Sequence, residues 1–148
     1  MKIVIANDHA AVELKNEVKA YIESLGHEVI NIGTDSNESC HYPEYGAKAA
    51  RMVASGVVDL GVLICGTGVG ISLAANKIKG IRCGVCSETT TARLIRQHNN
   101  ANMIAFGARV VGPELAKDIV KTFLESEFES GGRHQIRIDM ISAIENEE

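Results

Sequence analysis

The chain predicts an α/β fold, a three-layer α/β/α sandwich around a five-stranded parallel sheet of Rossmann-like type with one extra C-terminal helix. Three observations carry this. Short apolar runs bounded by polar residues recur along the chain, and runs of that kind are strands buried on both faces. Between them lie stretches whose apolar residues repeat every three or four positions, the pattern of amphipathic helices. The two alternate strictly, which calls for parallel strands joined by right-handed crossovers.

The first strand is KIVIA, residues 2–6. From Ala10 to Leu25 the residues Val12, Leu14, Val18, Tyr21, Ile22 and Leu25 form a helical stripe, and Gly26 stops it as a C-cap glycine does. HEVINIG, 27–33, is the second strand, and a helix from Pro43 to Ser55 follows a polar loop. Gly61 to Cys65 is the third strand, followed by a glycine loop and a helix from Val69 to Lys77. Ile81 to Cys86 is the fourth strand, and Ser87 is placed to cap a helix ending at Gln97. Asn102 to Phe106 is the fifth strand. Pro113, suited to a first helical position, opens a helix to Glu127. The last helix spans His134 to Glu145 after Gly131-Gly132, with Ile138, Ile141 and Ile144 as a stripe that needs a packing partner.

One domain, 1–148, accommodates all of this. A chain of this size buries roughly 68–70% of its extended surface, enough for a core without staples. With 15 Lys and Arg against 19 Asp and Glu the net charge is −4, which argues against nucleic acid as a partner. A small anion stays open, since a few placed arginines suffice for one phosphate. The apolar runs are too short to span a bilayer, and the N-terminal run falls short of a signal h-region of roughly 7–15 residues. A cytoplasmic protein without membrane contact is the expectation. Cys40, Cys65, Cys83 and Cys86 do not suggest a disulfide framework in that compartment. Cys83 and Cys86 form a CxxC, but on a strand residues three apart point to opposite faces, so the sulfurs diverge.

Parallel sheets bind ligands at the carboxyl ends of their strands. That rule selects Asp8-His9, the stretch from Cys65 to Gly70, and Gly107 to Arg109. ICGTGVG, 64–70, is a strand-to-helix turn in which Gly66, Gly68 and Gly70 allow backbone amides to converge on an anion. It is neither a Walker loop nor the dinucleotide fingerprint. Cys65 stands just before those amides, where a thiolate is favoured as base or nucleophile; the alternative is a packed, inert thiol. Thr67 either caps the helix or offers its hydroxyl to a substrate oxygen. Asp8 and His9 taken singly read as caps, and His98 in RQHNNAN reads as a structural or exposed histidine. Arg133 and Arg137, four apart, share a helix face and read as a solvated pair or a phosphate fork. No metal is suggested, because neither Cys65 nor His98 has clustered further ligands, and no cofactor is called for.

Taken together, NDHA followed by LK, HYPEYG, ICGTGVGISLAANK, GIR, RQHNNANMIAFGARVVG and GGRHQIRI resemble the type B ribose-5-phosphate isomerases and the related galactose-6-phosphate isomerase subunits over nearly the whole chain. The resemblance implies roles. Cys65 would shuttle the proton between C1 and C2 of an open-chain sugar phosphate, with Thr67 assisting at the substrate oxygens. The amides of Gly66, Gly68, Val69 and Gly70 would hold the enediolate. His98 would open the furanose ring, with Asn99 beside it and Asp8 and Tyr42 lining the sugar site. His9, Arg109, Arg133 and Arg137 would bind phosphate. It also implies a homodimer, or a tetramer, whose subunits share sites. Allose- or galactose-6-phosphate isomerisation remains an alternative, as does a phosphosugar-binding module without catalysis.

Overall fold

The computed structural model describes residues 1–147. Its strands are β1 (Lys2–Asn7), β2 (Glu28–Asn31), β3 (Leu60–Cys65), β4 (Cys83–Val85) and β5 (Met103–Gly107). Its helices are α1 (Val12–Ser24), α2 (Tyr42–Ala54), α3 (Val69–Ala75), α4 (Thr89–Asn99), α5 (Pro113–Glu125) and α6 (Arg133–Glu145). All strand pairs are parallel, in the order β2-β1-β3-β5-β4. The predicted three-layer α/β architecture is therefore the one observed.

Alternation along the three central strands builds two cores. Ile3 and Ile5, Val62 and Ile64, and Ile104 and Phe106 face the layer of α1, α4 and α5. Val4 and Ala6, Leu63 and Cys65, and Met103 and Ala105 face α2 and α3. β3 is buried at every position, as the unbroken apolar run LGVLIC requires of a strand covered on both faces. Cys83 and Cys86 fall into different cores, so the CxxC sulfurs do diverge.

Three boundaries depart from the sequence reading for identifiable reasons. β4 begins at Cys83 rather than Ile81 because the Arg82 amide donates to the Asn102 side chain (2.9 Å) instead of to a strand carbonyl. The cap of α4 is Glu88, not Ser87; its carboxylate accepts the Thr91 amide at 2.9 and 3.1 Å. α4 also runs on to Asn99, so His98 lies in its last turn and not in the loop before β5.

Lys15 on α1 is fully buried, and its ammonium donates to Asn31 Oδ1, the Thr34 carbonyl and Asp35. A buried ammonium is tolerated only when its donors are used. Lys15 thereby fastens the loop after β2, which leads to His41 and the start of α2. α6 behaves differently: Ile138 is its one buried residue, while Ile136, Met140, Ile141 and Ile144 are 48–65% exposed. No helix among the described residues is long and apolar enough to cross a membrane.

Candidate active site

The chain leaves β1 toward β2 on one side and later adds β3 on the other, so the sheet changes direction between β1 and β3. A crevice opens at the carboxyl ends of strands at such a point. Asp8 and Cys65 stand on its two banks, joined where the Asp8 amide donates to the Ile64 carbonyl (3.2 Å). Asp8 is buried, and its Oδ1 accepts the Ala10 amide (3.0 Å), capping the short 3-10 turn His9–Ala11. His9 accepts the Cys40 amide at Nδ1 (3.2 Å), which in the neutral ring leaves Nε2–H free to donate. His9 borders an open cavity of about 460 Å³ with Glu13, Glu17, Asn37 and Val111.

The glycine loop is held by close backbone packing. Cys65 and Gly66 accept amides from Ala108 (2.9 Å) and Arg109 (3.0 Å) through their carbonyls. Gly68 has φ +83°, and a Cβ there would come within 2.7 Å of the Phe106 carbonyl carbon. A Cβ on Gly107 would meet the Gly66 carbonyl oxygen at 2.6 Å. Gly107, which the carboxyl-edge rule selects with Arg109, is thus part of the loop's support. A Cβ on Gly70 would lie 2.5 Å from Tyr42 Cζ, and one on Gly66 would lie 3.2 Å from Arg109 Nη1. Tyr42 and Arg109 therefore stand directly over the loop.

The loop's donors divide in two. The Gly68 amide donates to Cys65 Sγ (3.1 Å), and the Val69 amide donates to Thr67 Oγ1 (3.2 Å), so Thr67 closes a local turn ahead of α3, whose N-cap is Gly68. The amides of Gly66, Thr67 and Gly70 have no partner among the described residues. Unpartnered amides at the head of a tight turn are what an oxyanion needs. Cys65 itself is 4% exposed in the single chain.

The remaining sequence-selected residues gather elsewhere. A crossover helix runs antiparallel to the strands, so the end of α4 lies at the amino edge of the sheet. There Asn99 and Asn100 accept Arg82 Nε and Nη2 through their carbonyls, both at 2.8 Å. His98 stacks on His134 of α6 with centroids 4.2 Å apart and planes 12° apart. Arg133 and Arg137 stand exposed on the same helix. Within one chain, β5 separates this group from Cys65 by roughly 13 Å of strand rise. The structure thus brings together Asp8, His9, Tyr42, Cys65 to Gly70 and Arg109, and it sets His98, Asn99, Arg133 and Arg137 apart.

No pattern in the sequence assigns a role to His134 or Glu129. Glu129 Oε2 lies 3.8 Å from His134 Nε2, and the Glu129 amide donates to the Gln97 carbonyl (3.0 Å). Desolvation, followed by the neighbouring charges of His98 and Arg133, holds the His134 imidazole below its ordinary range. Where the sequence offered no cluster of metal donors around His98, the fold supplies one in His98, Glu129 and His134.

Residues 3–141 match the ribose/galactose isomerase family. The chain belongs to that family. It is 55% identical to ribose-5-phosphate isomerase B of Escherichia coli over 144 residues, 97% of this chain and 96% of that one. The structure of ribose-5-phosphate isomerase B from Clostridium thermocellum superposes with a TM-score of 0.96 at 52% identity, covering 98% of this chain and 97% of the other. That of Mycoplasma genitalium, determined with bound ribulose-5-phosphate, gives 0.95 at 39% identity over 99% and 97%. The likeness to type B isomerases implied by the sequence motifs therefore holds across the whole fold.

Proposed function

We propose that this isomerase-family protein interconverts D-ribose 5-phosphate and D-ribulose 5-phosphate through an enediolate, with Cys65 as the base. The observation that carries the reading is the hydrogen bond from the Gly68 amide to the buried Cys65 sulfur in a turn where the amides of Gly66, Thr67 and Gly70 have no partner among the described residues, with Arg109 and Tyr42 packed against it. Cys65 takes the C2 proton of the open-chain aldose as the carbonyl at C1 becomes an enediolate oxygen. The same sulfur returns the proton to C1 while the C2 oxygen becomes the ketone. Fixed donors matter most when charge develops on the oxygens; loss of one such donor typically costs about 2.7–4 kcal/mol. Thr67 moves protons between the two oxygens, the Gly70 amide is a further donor to them, and Val69 stands beside it with its own amide held by Thr67. Asp8 and Tyr42 line the sugar, and His9 and Arg109 meet the phosphate.

His98 serves ring opening, Asn99 borders the sugar beside it, and Arg133 and Arg137 bind phosphate, in each case toward the site of a second subunit. A strand's length separates them from their own Cys65, and α6 offers an exposed apolar face of Ile136, Met140, Ile141 and Ile144 to cover. A homodimer with two shared sites, working in the cytoplasm where four unbridged thiols persist, accounts for both facts. Six-carbon phosphates are the second reading, supported by the galactose branch of the family. Rates on ribose 5-phosphate, allose 6-phosphate and galactose 6-phosphate, measured side by side, decide between them. The pentose reading expects the highest kcat/KM on ribose 5-phosphate, and a hexose phosphate turned over faster would displace it.

A further inference from the structure

We propose that His98, Glu129 and His134 form a binding site for a borderline divalent cation of the zinc class, and that the bound cation arrests His98. One ligand atom from each residue lies within 4.8 Å of the other two. Two imidazoles and a carboxylate are the donor set that such cations select, whereas magnesium and calcium prefer all-oxygen sites. Three protein ligands also leave a fourth, open position for water.

The geometry requires a modest closure. Around a tetrahedral ion with bonds of roughly 2.0–2.2 Å the donors stand about 3.3 Å apart. Rings stacked 4.2 Å apart and 12° from parallel cannot converge their in-plane lone pairs on one ion, so one ring must turn about its Cβ–Cγ bond. The chain is built to permit this: Glu129 is 57% exposed at its side chain, and Gly131 (φ +81°) and Gly132 separate it from His134. The Glu129 amide is bonded to the Gln97 carbonyl, one residue from His98, which keeps Glu129 tethered beside the two histidines as its side chain swings. Arg133 and Arg137 bear on His134 and oppose a cation, so the carboxylate of Glu129 decides whether one is held. This makes Glu129 the residue to test.

Arrest rests on the role given to His98 above: an imidazole coordinated to a metal cannot exchange a proton with a sugar ring. Binding does not rest on that role, and the two are measured separately. Full-length protein stripped with EDTA is titrated with Co²⁺ and followed by its visible spectrum, and Zn²⁺ is then added in activity assays. The expected result is one Co²⁺ per chain with ligand-field bands and no sulfur charge-transfer band. Glu129→Ala should weaken Co²⁺ binding by about tenfold or more and leave metal-free activity unchanged. Zn²⁺ should inhibit the wild type reversibly to EDTA and require a correspondingly higher concentration in Glu129→Ala. Absence of saturable Co²⁺ binding, equal affinity in Glu129→Ala, or a charge-transfer band abolished by Cys65→Ser or Cys40→Ser would overturn the site. Binding as expected without Zn²⁺ inhibition would overturn the arrest. A protein that binds Co²⁺ as described yet fails to isomerise ribose 5-phosphate would refute the proposed function and leave the metal site standing.

Discussion

The Gly68 amide donates to the Cys65 sulfur across 3.1 Å, and it does so from a backbone conformation, φ +83°, that side chains disfavour. The turn thereby ties the position of the Cys65 sulfur to the presence of glycine three residues later. Phe106 backs the glycine so closely that no Cβ fits.

Gly68→Ala should therefore lose stability as well as rate. A residue forced into this region costs about 1–3 kcal/mol before the clash is counted, and the melting temperature of a chain this size should fall by about 5–10 °C. Calorimetry checks it. An unchanged melting temperature would mean that the loop adopts another path.

Lys15 and Asp35 make stability depend on pH in a stated direction. The Lys15 ammonium, with help from Asn31, holds the Asp35 carboxyl below its ordinary range. A carboxylate whose folded value is depressed contributes stability above its unfolded value near 4, and that contribution disappears as pH falls through the folded value. Asp35→Asn should cost about 1 kcal/mol at neutral pH, a figure kept small because the carboxylate is exposed and screened. The difference from wild type should shrink toward zero in acid. Denaturant titrations at pH 7 and pH 3 provide the comparison, and a constant difference would exclude the ion pair as its source.

Cys83 and Cys86 should resist alkylation. Burial, with Cys86 as a second influence, pushes the Cys83 thiol up to about 12, and burial, aided by Glu88, does the same for Cys86. The thiolate is the reactive form. Mass spectrometry after iodoacetamide treatment at pH 8 should find both unmodified in folded protein and labelled after denaturation. Labelling of either in the folded protein would contradict their burial.

Shared sites predict rescue between two dead variants. Cys65→Ala and His98→Ala homodimers should each be inactive on ribose 5-phosphate. A hybrid dimer of the two retains one intact site, so random mixing should return about a quarter of wild-type activity. A mixture no more active than its parents would place Cys65 and His98 in the same chain's site.

Much of the fold is legible because its rules are local. KIVIA and LGVLIC announce buried strands, and Gly26 and Pro113 mark helix boundaries found within a residue or two. The end of α4 and the start of β4 were less so, since they depend on the reach of Glu88 and Asn102 side chains. The glycine loop and its neighbours Asp8 and Arg109 followed from the carboxyl-edge rule alone. His98 did not, because its place is fixed by the direction of α4, which puts the last turn at the far edge. The His98–His134 stack was out of reach: it needs the chain to fold back across Gly131-Gly132 by a route that no periodicity records.

The most direct test of the account is solvent exchange at C2. Wild type incubated with ribose 5-phosphate in deuterated water should place deuterium on the sugar as ribulose 5-phosphate forms, while Cys65→Ala keeps its fold and phosphate affinity and loses exchange and turnover together by orders of magnitude. Near-wild-type exchange in Cys65→Ala would remove the sulfur from the chemistry and contradict the mechanism.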